Sequence, residues 1–334
     1  MSDASYAEFG KMAQQKSIVL NRVLRKWGTF GAFILMVIFF SVTNHYYFTP
    51  INFSNMLFEA VIPISISLGL TIVIMVGSFD LSIGAIASFG GMVSALLFPK
   101  LGAFPACLIA LGAAGVFGLI NGILVGVVGI SGIIATLAMQ FTFAGIETVI
   151  TGGIEVPIPM SFPYFLAFGQ GSIGPIKIMI SALVILAIVA HLFMTKTAWG
   201  IKISATGLNA MASIYSGIKI KFTVILAFFL SAIFCSLAGI MIVAVNASHQ
   251  PATANLYLLD AFCIVFLGST ILKEGKPHIL GTVIAGIMLS GLVTGMMLMG
   301  VRYEWQMFVK GTVLVLAMAA SVMMGHEGIR TRFV

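Results

Sequence analysis

Residues 222–245 read Phe222-Thr-Val-Ile-Leu-Ala-Phe-Phe-Leu-Ser-Ala-Ile-Phe-Cys-Ser-Leu-Ala-Gly-Ile-Met-Ile-Val-Ala-Val245, twenty-four residues without a charge. About 20 apolar residues in a helix cross the hydrocarbon core of a bilayer. This run is therefore a transmembrane helix, and it is one of many. Working outward from it, comparable runs fall at roughly Gly28–Thr43, Phe58–Val76, Ile83–Phe98, Phe104–Val128, Ile133–Thr151, Ile176–Met194, Leu256–Leu272, Ile279–Met299 and Trp305–Met324. Composition agrees: 60% of the 334 residues are hydrophobic and 8% are charged, whereas soluble domains carry about 25% charged residues. So few charges cannot cover a water-exposed surface, so the apolar side chains face lipid or one another. The expected fold is an all-α polytopic membrane protein of about 10 transmembrane helices, with no long polar stretch left for a soluble domain.

The basic residues orient it. Lys11, Lys16, Arg22, Arg25 and Lys26 precede the first span; Lys196, Lys202, Lys219 and Lys221 flank the loop after the sixth. Lys273 and Lys276 follow the eighth span, and Arg330 and Arg332 follow the tenth. Thirteen of the 17 Lys and Arg residues thus share the side that holds both termini, and the positive-inside rule makes that side cytoplasmic. Residues 1–27 are expected to form a cytoplasmic N-terminal segment, 28–324 the transmembrane domain, and 325–334 a cytoplasmic tail. The net charge of +7 is accounted for by this orientation, so no nucleic-acid partner is implied; membrane lipid is the surrounding medium. The N-terminus is polar to about Leu20 and has no short apolar core with a cleavage site, which argues against a cleaved signal peptide. Cys107, Cys235 and Cys263 stand singly in apolar stretches and read as small core residues.

No enzyme constellation is present: no helical His–Glu zinc pair, no nucleophile elbow and no phosphate-binding Gly-Lys-Ser/Thr loop. Any coupling to ATP must run through a partner chain. Four carboxylates, Glu59, Asp80, Glu147 and Asp260, fall in or beside spans. Charges there cost about 2.5–3.5 kcal/mol on insertion scales and turn toward the bundle interior or a helix end. Asp80, in Gly77-Ser-Phe-Asp-Leu-Ser-Ile-Gly84, reads as an N-cap of the third span and equally as a fixed helix start lining the inner end of a pathway. Asp260, about one turn inside the eighth span, either bonds across helices or lines the pathway. Glu59 and Glu147 are expected near solvated span ends. Gly118, Gly122 and Gly126 recur at the spacing that lets helix backbones approach closely in lipid.

The cytoplasmic loop 195–221 carries the most information. Asn209 to Ser216 has the pattern of a short helix, with Asn209 as N-cap and Gly217 as its C-terminal stop. Ala210, Ala212 and Ser213 offer a small-residue surface fit for a groove, beside the larger Leu208, Met211, Ile214 and Tyr215. Such a helix either binds a partner or rests on lipid headgroups.

Ala205-Thr-Gly207-Leu208-Asn209-Ala-Met-Ala212-Ser213-Ile-Tyr-Ser216-Gly217-Ile218 resembles the coupling-helix segment of ribose-type ABC sugar permeases, whose pattern is Ala-x-Gly-x-Asn-x-x-Ala-Ala-x-x-Ser-Gly-Ile. Ser213 stands where a second Ala is usual. Three further segments resemble the family in order: Phe79-Asp80-Leu81-Ser82-Ile83-Gly84; Asn121-Gly122 with Ala135-Thr136-Leu137 and Thr151-Gly152-Gly153; and Leu259-Asp260-Ala261 with Val265-Phe266-Leu267-Gly268. Together they cover about residues 50 to 325. The usual Gly-rich turn is replaced by Gly268-Ser-Thr-Ile-Leu-Lys-Glu-Gly-Lys-Pro277, and Ala144-Gly145 stands where an Arg is often found. The resemblance implies an importer of the bacterial inner membrane. It would comprise two permeases (a second copy or a paralogue), a cytoplasmic ABC ATPase dimer and a periplasmic or lipid-anchored solute-binding protein. It implies no cofactor on this chain, since the ATPase uses the ATP. By resemblance, Ala205, Gly207, Leu208, Asn209, Ala212, Ser213, Ser216 and Gly217 form the ATPase coupling surface, and Asp80, Ser82, Asn121, Thr136 and Asp260 are pathway or gate candidates. The expected solute is a monosaccharide or related small polar molecule. A branched-chain amino-acid permease and an ion-coupled secondary transporter are the alternatives.

Overall fold

The computed structural model describes residues 28–159, 161–272 and 275–324; the expected terminal segments 1–27 and 325–334 lie outside them. Among the described residues the chain is helical almost throughout. The helices are α1 Gly28–Thr43, α2 Pro50–Met75, α3 Ile83–Leu101, α4 Ala103–Ile123 (extended by a π-turn, Leu124–Val128), α5 Gly132–Thr151, α6 Pro163–Gln170, α7 Ile178–Lys196, α8 Ala198–Leu208, α9 Ala210–Tyr215, α10 Ile220–Asn246, α11 Tyr257–Thr270, α12 Ile279–Leu298 and α13 Tyr303–Met324. Nine are long and apolar enough to cross a membrane, and α1 is a shorter apolar helix. Together they match the ten expected runs. A 3-10 turn, Thr253–Leu256, leads into α11, and two short antiparallel pairs lie between the helices. β1 (Val156–Pro157) pairs with β4 (Ser248–His249), and β2 (Ser172–Ile173) pairs with β3 (Ile176–Lys177).

The core forms around α10, which packs on α2, α3 and α4. Glycines set the closeness of α4 to α10. A β-carbon on Gly118 would lie 2.6 Å from the Phe228 carbonyl oxygen, and one on Gly122 would lie 2.6 Å from Ile225 Cα. The expected role of the 118–122–126 series is thus realised as backbone-to-backbone packing, the main source of helix adhesion where lipid removes the hydrophobic drive. By contrast α5, α7 and α13 bury only a minority of their span residues, and their exposed side chains, such as Phe141, Val149, Val184, Ile185, Val315 and Leu316, suit an apolar surrounding.

Two elements start partway through the bundle. Gly90 of α3 abuts Ser236 of α10, and Gly91 abuts Gly239. Ser236 is sixteen residues past Ile220 whereas Gly90 is only seven past Ile83. At 1.5 Å per residue, α3 therefore begins about 14 Å up α10 from its start. From the far end of α10, residues 247–256 fold back down α3. His249 reaches the level of Gly91, and Asn255 meets Gly84, where a β-carbon would lie 2.9 Å from Asn255 Cα. This re-entrant segment explains why α11 has only 14 residues: it starts at depth. Non-helical backbone at such depth is tolerated only where protein buries it or it lines a cavity.

Three expectations on the elements need correction. The loop 195–221 is not a loop: Thr197 accepts a hydrogen bond from the Gly200 amide and caps the 11-residue α8. Glu59 is not at a span end, because α2 begins at Pro50; Thr49 and a first-turn proline start that helix eight residues before its apolar run. Asp80 is not the N-cap of α3, a position held by Ser82.

Candidate functional site

The sequence-selected residues separate into two places. At the end of the bundle where α2 finishes and α10 starts, α8 and α9 form a compact unit. Asn209 caps α9 by accepting from the Ala212 amide at 3.0 Å. At its other end Gly217 adopts φ +77°. The Gly217 and Ile218 amides then reach back to the Ile214 and Ser213 carbonyls, at 2.9 and 3.0 Å. This double closure is the Schellman stop, which glycine permits without strain. Both ends of a six-residue helix are thereby fixed, and an isolated helix of that length would not hold in water.

The unit is also seated. A β-carbon on Gly207 would fall 1.7 Å from the Met75 carbonyl oxygen, so Gly207 serves to bring α8 onto the end of α2. Ser213 is buried, and its hydroxyl bonds the Asn209 carbonyl at 2.9 Å. Neither residue faces outward, which corrects the small-residue surface expected at Ser213. Ala205 is half-buried, whereas Leu208, Asn209, Ala212, Ser216 and Gly217 are exposed. Met211, Ile214 and Tyr215, outside the expected coupling set, are the largest exposed groups there, with Tyr215 at 83%. On α8, Trp199 packs on Phe222 and carries the Lys202 ammonium 4.5 Å above its ring.

The second place is a buried polar column along α3. Asp80, Ser82, Asn121 and Thr136 come together at its foot. The Ser82 amide and hydroxyl both donate to Asp80 Oδ1, at 2.9 and 2.6 Å, and Asn121 Nδ2 donates to the Ser82 hydroxyl at 2.8 Å. Thr136 accepts from the Leu81 amide at 2.9 Å and donates to the Gly132 carbonyl at 2.7 Å. All four side chains are fully buried. The node locks the turn before α3 to α4 and α5. Asp80 Oδ2 and Asn121 Oδ1 have no hydrogen-bond partner among the described residues.

Six residues up α3, about 9 Å by helical rise, lies a second node that the sequence reading missed. Glu147 is 1% exposed rather than solvated. Its Oε1 accepts from the Ser88 hydroxyl at 2.5 Å and lies 2.9 Å from His249 Nε2; its Oε2 lies 3.4 Å from the Ala252 amide. Phe79, Phe262 and Phe266 stack between α11 and the turn before α3, with centroids 6.4 Å apart.

Asp260 stands apart from both nodes. Lys310 of α13 places its ammonium 2.8 Å from Oδ1 and donates to Oδ2 at 3.0 Å. Of its two expected roles, the structure realises the bond across helices.

Comparison with known proteins gives the family. Residues 52–318 match the model described as branched-chain amino acid transport system / permease component. The chain belongs to that family. The permease is 32% identical to the ribose import permease RbsC of Bacillus subtilis over 91% of this chain and 95% of that protein. It is 33% identical to RbsC of Escherichia coli K12, over 86% and 90% of the two chains. It is also 30% identical to the E. coli D-allose transport system permease AlsC, over 88% and 91%. No solved structure matches the permease.

Proposed function

We propose that this chain is the membrane permease of an ATP-driven importer for a monosaccharide or closely related polyhydroxylated solute, delivered by a separate binding protein. In this reading both termini and the α8–α9 unit are cytoplasmic, the chain sits in a bacterial inner membrane, and a second permease copy or paralogue completes the pore. ATP is consumed by a partner ATPase dimer and the permease carries no cofactor. The supporting observation is α9, a helix capped at both ends and seated by Gly207, which presents Leu208, Met211, Ile214 and Tyr215 to the outside. Exposed apolar groups on a rigid base suit docking into a partner's groove. The sugar assignment draws on the relatives, whose names specify ribose and allose, while the family description names amino acids. The hydroxyl and amide groups of that column, from Ser82, Ser88, Asn121 and Thr136, suit a hydroxyl-rich solute.

The test is Met211→Asp with Tyr215→Asp. These side chains are exposed, so the variant should insert and fold as before while losing both its ATPase and solute uptake. Unchanged association with the ATPase would rule out α9 as the coupling helix. Binding assays with the partner binding protein, offering pentoses, hexoses and branched-chain amino acids, decide the solute class.

A further inference from the structure

Glu147 is a carboxylate buried on a membrane-spanning helix whose bonds reach two other elements. On α3 it accepts from the Ser88 hydroxyl; on the re-entrant segment 247–256 it accepts from the Ala252 amide, and His249 Nε2 lies at ion-pair distance, 2.9 Å from Oε1, without a hydrogen-bond partner among the described residues. A buried carboxylate needs such donors, since an unpaired one costs several kcal/mol. The segment it holds has two further features. Ala247 and Ala252, on either side of residues 248–251, have φ +57° and +62°. Left-handed backbone is unfavourable for alanine and persists only where the surroundings impose it. A cavity just large enough for one water molecule lies beneath the segment, lined by Ser88, Gly91, Gly239, His249 and Thr253 among others. The segment is also tied to the chain between α5 and α7. β4 pairs with β1, and the Ile158 amide bonds the Ala247 carbonyl at 2.9 Å; Gln170 Nε2 bonds the Val245 carbonyl, in the last turn of α10, at 2.9 Å.

We infer that segment 247–256 is the outer gate of the permease, that Glu147 is its latch, and that Ser88 and His249 position that latch. With the latch made, the segment covers the flank of α3 and seals the polar column down to Ser82. With the Glu147–His249 contact and the Glu147–Ala252 bond released, the strained backbone at Ala247 and Ala252 relaxes and the segment hinges away from α3, bending at both alanines. The pull comes through β1, which joins the segment to the chain between α5 and α7, the part of the outer face where a binding protein would dock. The inference rests on the transporter reading for its purpose, but its observable does not require that the solute be a sugar.

The test places a reporter cysteine at Thr253 in a Cys107→Ser background, Cys235 and Cys263 being buried. The rate of labelling by a membrane-impermeant maleimide is followed in the assembled transporter. With the latch intact, labelling should be slow in one nucleotide state and several-fold faster in the other. Glu147→Ala should label about tenfold faster than the slow state, whatever the nucleotide, since it removes the segment's hydrogen bond to a charged group together with the His249 contact. Glu147→Gln keeps an acceptor for Ser88 and should fall between. Should Glu147→Ala fold poorly, Ser88→Ala weakens the same latch and should shift the slow state in the same direction. Equal labelling in both nucleotide states with the latch intact overturns the gate, because a merely structural strap would behave that way. Loss of ATP-driven uptake of every sugar alongside the expected labelling would instead overturn the solute assignment and leave the gate standing.

Discussion

Asp260 and Lys310 make the ion pair that joins α11 to α13, and at 15% and 12% exposed they are largely out of solvent. Removing one partner of a buried pair leaves an uncompensated charge and costs about 3–5 kcal/mol, whereas replacing both with apolar groups is often neutral. Lys310→Met should therefore lower the midpoint of thermal unfolding in detergent markedly. Adding Asp260→Leu to it should restore most of the loss. If the double variant is as unstable as the sum of the singles, the pair does not act as a unit. In the lower node, Asn121→Ala removes the donor to the Ser82 hydroxyl and should cost about 1–3 kcal/mol in the same assay. Asp80, Ser82, Asn121 and Thr136 were singled out together with Asp260 through resemblance to a family; the structure brings the first four into one node and pairs Asp260 with Lys310 instead. Glu147 was misread because its partner His249 lies about a hundred residues away, in a segment whose re-entry no apolar pattern reveals.

At the scale of elements, α9 was readable down to its caps. Asn209 and Gly217 are residue types whose side-chain acceptor and freedom at positive φ define helix ends. The helix α8 was not readable, since Gly200 and Gly207 lower its intrinsic propensity. Its formation is settled by tertiary contact: a β-carbon on Gly200 would fall 2.5 Å from Met194 Cα, and one on Gly207 would collide with the end of α2. Gly207→Ala should thus displace α8 and weaken ATPase association without touching the docking face. Asn209→Ala should loosen α9 by about 1 kcal/mol and reduce ATPase affinity several-fold in a pull-down titration. Full affinity in both variants would mean that the partner itself orders the helix.

For the whole molecule, the number and placement of spans followed from hydropathy, while the depth of α3 and α11 did not. That depth depends on glycine contacts between segments far apart in sequence, which composition cannot encode. The α4–α10 seam makes this testable. Gly122→Leu should abolish monodisperse protein in detergent, because the seam has no room, whereas Gly112→Leu, with open space around it, should be tolerated. The central claim is that this bundle imports its solute by ATP hydrolysis on a partner, through α9. Uptake of the labelled solute that the partner binding protein retains, into proteoliposomes containing the permease, its co-purifying ATPase and that binding protein, is the most direct measurement. The account predicts accumulation that requires ATP inside its cytoplasmic face and vanishes with Met211→Asp and Tyr215→Asp. Uptake that proceeds without ATPase and follows an imposed proton or sodium gradient would contradict it.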